Sequence, residues 1–357
     1  MQGIGPAVMV PNSLALLGRI YPIGKRKDMI FAIYGATAPN GFILGAVFGS
    51  LLARFTWWPW EFFVMAIACV VLGGLGALIV PPSEESEQQK EQAFDFLGAL
   101  TGVIGLILFN IAWNQAPIVG WSHSYVILFL ILGLLSIAIF FFVEARVAQP
   151  LIPKSALSGN AGFVLACMAL GWSSFGVWVY YFFRFILELR HVSILTGAAQ
   201  VVPAGISGLC AAMTTGFILS RVPTSMVMAM AMLPFCVGNI LLATMPVHQT
   251  YWAQAFVSII VTPWGMDMSF PAATIVLSNL VPKEQQGIAA SLVATMVNYS
   301  ISIGLGIAGT IEVNVNRGGR DTLQGYRGAF YGAISLSALG VLVALIFVFR
   351  ERYFRSQ

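Results

Sequence analysis

The chain has 357 residues, 58% of them hydrophobic and only 9% charged, with a formal net charge of +4 and a mean hydropathy of +0.85. That balance excludes an ordinary soluble domain and leaves no basic footprint for a nucleic-acid partner. It points instead to an all-α integral membrane protein, because only helices and closed barrels satisfy their backbone in lipid, and these apolar runs are too long for barrel strands.

Crossing the hydrocarbon core takes about 20 mostly apolar residues, and about 11 stretches of that order occur in the chain. In chain order they are 1–20, 29–52 and 61–80, then 96–115 and 124–143, and finally 161–186, 194–219, 225–245, 251–280, 287–311 and 329–349. Linkers separate the three groups. Residues 81–95 form an acidic loop with Ser83, Glu84, Glu85, Glu87 and Glu91, read as a solvated connector. Residues 144–160 carry Pro150 and Pro153, and 312–328, with Asn316, Gly318, Gly319 and Asp321, reads as the longest outer loop. The chain thus divides into 1–80, the linker 81–95, a central pair 96–143, the linker 144–160, a six-helix unit 161–349 and a tail 350–357.

Assigning alternate loops to two sides places twelve of the 18 basic residues on one side and six on the other. The richer side, with Lys25, Arg26, Lys27, Arg350 and Arg352, should be cytoplasmic. Residue 1 then starts outside and the C-terminus lies inside. A protein with both ends inside needs an even number of spans. An odd count therefore implies helices before residue 1 or an unusual topology.

Of the 14 acidic residues, Asp267 alone stands deep within a stretch, in Trp264-Gly265-Met266-Asp267-Met268-Ser269-Phe270-Pro271. An ionised carboxylate near the midplane costs at least about 2.5–3.5 kcal/mol, so it should face the bundle interior or a wet cavity. A protonatable group there suits proton coupling; the alternative is a structural helix–helix hydrogen bond. Pro263 and Pro271 flank it, and Pro11, Pro39, Pro203 and Pro234 lie similarly deep in other stretches. Gly41, Gly45 and Gly49 share one helix face, fit either for tight packing or for gating. Asn298 and Tyr299 put an amide and a phenol inside another span.

Several chemistries drop out. Gly18 and Gly24 have the wrong separation for a phosphate loop, and Lys25 is followed by Arg26. His123, His191 and His248 sit in separate loops without metal-ligand spacing, so no metal is expected. Cys69, Cys167, Cys210 and Cys236 lie within apolar stretches and read as small packing residues. No catalytic motif is present, and neither enzymatic activity nor a cofactor is expected.

Residues 262–312 carry the most specific pattern, from Thr262-Pro263-Trp264-Gly265-Met266-Asp267 through Pro282-Lys283-Glu284-Gln285-Gln286-Gly287 to Asn298-Tyr299-Ser300 and Gly309-Thr310-Ile311-Glu312. With Pro246-Val247-His248-Gln249-Thr250-Tyr251-Trp252, it resembles the major facilitator superfamily, specifically the fungal fourteen-helix drug:proton antiporters of the aminotriazole-resistance type. The resemblance covers essentially the whole chain, aligned to that family's fourth through fourteenth helices. It implies a major facilitator-type bundle truncated at the N-terminus, with 1–80 as the second half of the first bundle and 161–349 as the complete second bundle.

Two family motifs are partly present. The antiporter motif G-x8-G-x3-G-P-x2-G-G appears as Ala32, Gly41, Gly45, Ala46, Gly49 and Ser50, with its proline replaced by Ala46. The fourth-helix motif is represented by Gln2, Gly3 and Gly5, without its preceding arginine. The resemblance implies proton-coupled export of small amphipathic or toxic compounds, with protons, a small-molecule substrate and the bilayer as partners. Asp267 is then the proton-coupling candidate. Trp264, Phe270 and Tyr299 supply aromatic contacts to substrate, and Asn298 fixes its orientation. An importer on the same fold, and a non-transporting fragment or membrane partner protein, are the alternatives. The expected location is the plasma membrane, with the vacuolar membrane as the alternative.

Overall fold

A computed structural model describes residues 3–22, 24–79, 95–147, 150–152, 159–281 and 286–355. Among these residues the secondary structure is helical throughout. The helices are α1 (Ile4–Ile20), α2 (Lys25–Phe55), α3 (Trp60–Ile79), α4 (Phe96–Val119), α5 (Ser124–Glu144), α6 (Gly159–Arg184), α7 (Ile194–Ile218), α8 (Thr224–Ala243), α9 (Gln254–Leu280), α10 (Gln286–Val315) and α11 (Thr322–Arg355). A π-helical turn, Phe185–Leu189, extends α6. Ten of the eleven are long and apolar enough to cross a membrane, and α1, at 17 residues, is shorter. Apart from Asp95, the acidic linker lies outside the described residues, as do 153–158 and the last two residues of the tail.

Local chemistry fixes the helix ends. Asp95 Oδ1 accepts from Gly98 N at 2.8 Å and opens α4, while Ser193 Oγ accepts from Thr196 N at 3.2 Å and opens α7. Gly120, with φ 97°, closes α4. The helices overrun the apolar stretches where polar residues continue the pattern. The outer loop expected over 312–328 thereby shrinks to 316–321, where Asn316 Oδ1 accepts from Gly318 N and Gly319 N at 3.1 and 3.2 Å. Helix α11 likewise continues through Arg355, so most of the expected tail is helical.

Helix α6 packs against α8, α10 and α11, while α9 is enclosed by α2, α6, α7, α8 and α10. One core layer, including Met168, Phe235, Met266, Leu277 and Phe347, joins α6, α8, α9 and α11. A second, with Phe182, Phe185, Ile259, Tyr326 and Phe330, fills the opposite end. Helices α4 and α5 form a hairpin docked on α10, where Asn114 Nδ2 donates to Ser302 Oγ at 3.2 Å. Helix α2 runs along α7, and Leu14 and Phe31 meet Ile275 and Ala290 at the basic end. There the buried Lys27 Nζ donates to Ser278 Oγ at 2.8 Å. Helix α3 buries none of its residues.

The charge bias predicts the side on which each end emerges. On a cysteine-free background, Lys25→Cys should react with an impermeant thiol reagent only from the cytoplasmic face, and His248→Cys only from the outer face. Both positions are exposed in the fold. Labelling of Lys25→Cys from outside intact cells overturns this orientation.

Candidate functional site

Helix α9 is the most enclosed of the membrane-length helices and continues without a break through Pro263 and Pro271. Each proline removes one helix hydrogen bond. One turn before Pro263, the Ile260 carbonyl accepts from Ser207 Oγ of α7 at 2.5 Å. Ser207 Oγ also accepts from Trp264 Nε1 at 3.1 Å, so one serine ties α7 to α9 through both a backbone carbonyl and a buried indole.

Asp267 points into this α7–α9 contact and is 2% exposed. A Cβ built on Gly208 of α7 would lie 2.5 Å from Asp267 Oδ2, so the carboxylate rests directly on the glycine backbone. Oδ2 has no hydrogen-bond partner, and no salt bridge reaches Asp267 among the described residues. A helix-bridging hydrogen bond, the structural alternative for this residue, is therefore not what occupies Oδ2.

On either side of Asp267, α9 is held by aromatic and small residues. Trp172 Nε1 of α6 donates to Ser269 Oγ at 3.2 Å, and the Trp172 ring meets Phe270 edge-on with centroids 6.4 Å apart. Trp178 Nε1, two turns further along α6, donates to Ser258 Oγ at 2.7 Å. Gly35 of α2 lets Pro271 and Phe270 approach; a Cβ there would lie 3.1 Å from Pro271 Cγ. Trp264, Asp267 and Phe270 thus sit where α2, α6 and α7 converge on α9. Sequence reading missed Trp172, Ser207, Gly208 and Gly35, whose roles depend on which helix stands opposite.

Other expected site residues point elsewhere. Tyr299 donates to the Leu106 carbonyl of α4 at 3.2 Å, and Asn298 is exposed, with Nδ2 turned back to Ala294 O at 2.8 Å. Their polar groups serve the α4–α10 contact and the local helix. Among the described residues nothing lies within 4 Å of a Cβ built on Gly41 or Gly45, whereas one on Gly49 would lie 2.6 Å from Glu61 Oε1 of α3. The close approach of α2 to α7 comes from glycines on α7: Gly205 against Ile43 and Gly216 against Met29. Gly3 and Gly5 lie open at the start of α1, and Gln2 falls outside the described residues.

Comparison with known proteins places the chain. The sequence profile of the Major Facilitator Superfamily matches residues 1–225 and 162–356. A low affinity ammonium transporter of Saccharomyces cerevisiae is 56% identical over 348 residues, which cover 96% of this chain and 68% of the relative. The efflux pump terJ of Aspergillus terreus is 46% identical, with 98% and 68% covered. The aminotriazole resistance protein of Saccharomyces cerevisiae is 37% identical, with 97% and 65% covered. The chain spans about two thirds of the length of these relatives. With its apolar helices and these matches across nearly all of its length, the chain belongs to the Major Facilitator Superfamily, as a multi-pass membrane transporter.

Proposed function

We propose that the chain performs proton-coupled export of small amphipathic or toxic compounds, with Asp267 carrying the proton. The observation that carries this reading is a buried carboxylate oxygen without a hydrogen-bond partner among the described residues, on a proline-flanked helix packed against five others. Such an intramembrane acid is costly to keep and marks an ion or proton path by default. Trp264 and Phe270, backed by Trp172, form the aromatic wall of the substrate pocket beside it. Helices α1–α3 act with one bundle and α6–α11 as the other, rocking about this level. The relatives named as an efflux pump and a resistance protein favour export, and the plasma membrane is the location that this reading assigns.

A second reading is uptake of a small cation, favoured by the relative named as an ammonium transporter. Proteoliposomes separate the two by the sign of the gradient. In an antiporter, protons leaving an acid-inside vesicle draw substrate in. In a symporter, accumulation requires an alkaline interior. We expect aminotriazole to accumulate in acid-inside vesicles above the level of protein-free controls. Accumulation of methylammonium or aminotriazole only in alkaline-inside vesicles establishes symport and rejects the exporter reading.

A further inference from the structure

A second polar centre lies at the outer end of α6. Arg184 ends that helix, and the π-turn after it holds Glu188 within reach. Arg184 Nε donates to Glu188 Oε1 at 2.9 Å and Nη2 to Oε2 at 3.3 Å. Nη1 reaches both oxygens of Glu312 on α10, at 2.9 and 3.1 Å. Tyr181 donates to Glu312 Oε2 at 2.7 Å, and the Tyr326 hydroxyl of α11 bonds Glu188. The Tyr326 ring also lies 4.8 Å from the guanidinium carbon.

Beside this network a cavity of about 460 Å³ opens between α4, α6 and α10. Asn114, Tyr180, Tyr181, Arg184, Glu312 and Val313 are among its lining residues. Tyr180 is 48% and Val313 49% exposed, so the cavity communicates with the protein exterior. Twelve residues of α6 separate Arg184 from Trp172, about 18 Å along the axis, so this cavity is distinct from the surroundings of Asp267.

Its charge selects a ligand. Two carboxylates face one guanidinium, and that guanidinium directs Nε, Nη1 and Nη2 at them, leaving one negative charge in excess. No other ion pair touches the trio among the described residues. An entering anion meets this excess charge and a guanidinium already engaged. A cation meets Glu312, and its apolar part meets tyrosine rings, whose faces attract positive charge. We propose that the outer cavity binds a small organic cation, a protonated amine carrying an apolar group, with Glu312 as counter-ion and Tyr180 and Tyr181 against the apolar part. This inference does not depend on transport direction or on the role of Asp267.

The test is calorimetric titration of the purified chain in nanodiscs with benzylammonium, benzyl alcohol and benzoate. Benzylammonium should bind in preference to the other two. Its affinity should fall about tenfold or more in Glu312→Gln, which removes the charge, and in Val313→Trp, which fills the cavity. Glu312→Gln also disturbs Arg184 and Tyr181; Val313→Trp replaces none of the network's groups and keeps the test decisive should the first variant misfold. Three results overturn the proposal: no benzylammonium binding, equal binding of benzoate or benzyl alcohol, or unchanged affinity in Val313→Trp. Affinity lost in Asp267→Asn but kept in Val313→Trp places the cation at the inner site and overturns it equally.

Discussion

Asp267→Asn should cut gradient-driven transport to below about a tenth of the unsubstituted rate, while leaving the fold intact. Asparagine matches the shape of the carboxylate and fits the same space against Gly208, but it cannot take up or release a proton. The two properties should therefore move independently. Removing an ionisable group from a site that is 2% exposed relieves the cost of housing a charge there, so the melting temperature should hold or rise. A residue serving as a structural bridge behaves oppositely, because breaking its hydrogen bonds lowers stability. The measurement is flux in proteoliposomes with and without an imposed pH gradient, beside thermal melting of the same preparations. Substrate exchange without a gradient should survive, since it needs the aromatic wall and not the proton. Unchanged gradient-driven flux in the Asn variant removes Asp267 from the coupling path.

The helices were legible because an apolar run of membrane length has few other solutions in lipid. Their ends were less so: Glu312 to Val315 and Thr322 to Gly328 look like loop by hydropathy, yet they continue α10 and α11 beyond the apolar core. Asp267 was legible for a related reason, since a lone acid deep in a span needs an explanation wherever its neighbours stand. Trp264 and Phe270 follow from proximity along the same helix. Asn298 and Tyr299 did not follow, because a polar residue in a span reveals its cost and not its direction. Tyr299 faces α4, a helix nearly two hundred positions away in sequence. The outer cavity was hidden likewise, since Asn114, Arg184 and Glu312 come from three separate helices.

The glycine tandem shows the same limit, and its counterpart gives the largest stability effect expected here. Gly41, Gly45 and Gly49 have ideal spacing for a packed face, but spacing cannot supply a neighbour, and among the described residues Gly45 has none within 4 Å of a built Cβ. A less conspicuous row does. Ser300, Gly304 and Ala308 recur every four residues on α10, and all three are buried. A Cβ on Gly304 would lie 2.4 Å from the Ser173 carbonyl oxygen and 2.8 Å from its carbon, so the backbones of α6 and α10 touch there. One turn away, Ser173 Oγ donates to Ser300 O at 2.8 Å, and a Cβ on Gly176 would lie 3.0 Å from Ile301 O. Gly304→Val must push α10 off α6. It should weaken the Ser173 bond and, two turns on, the Arg184 and Tyr181 bonds to Glu312, for a total of about 3 kcal/mol or more. Gly45→Val should cost under about 1 kcal/mol, since the added side chain meets open space. Thermal melting of both variants in the same detergent decides the matter. A sharp drop for Gly304→Val beside a near-native Gly45→Val is the expected result, and equal melting temperatures would show that α6 and α10 are not in backbone contact.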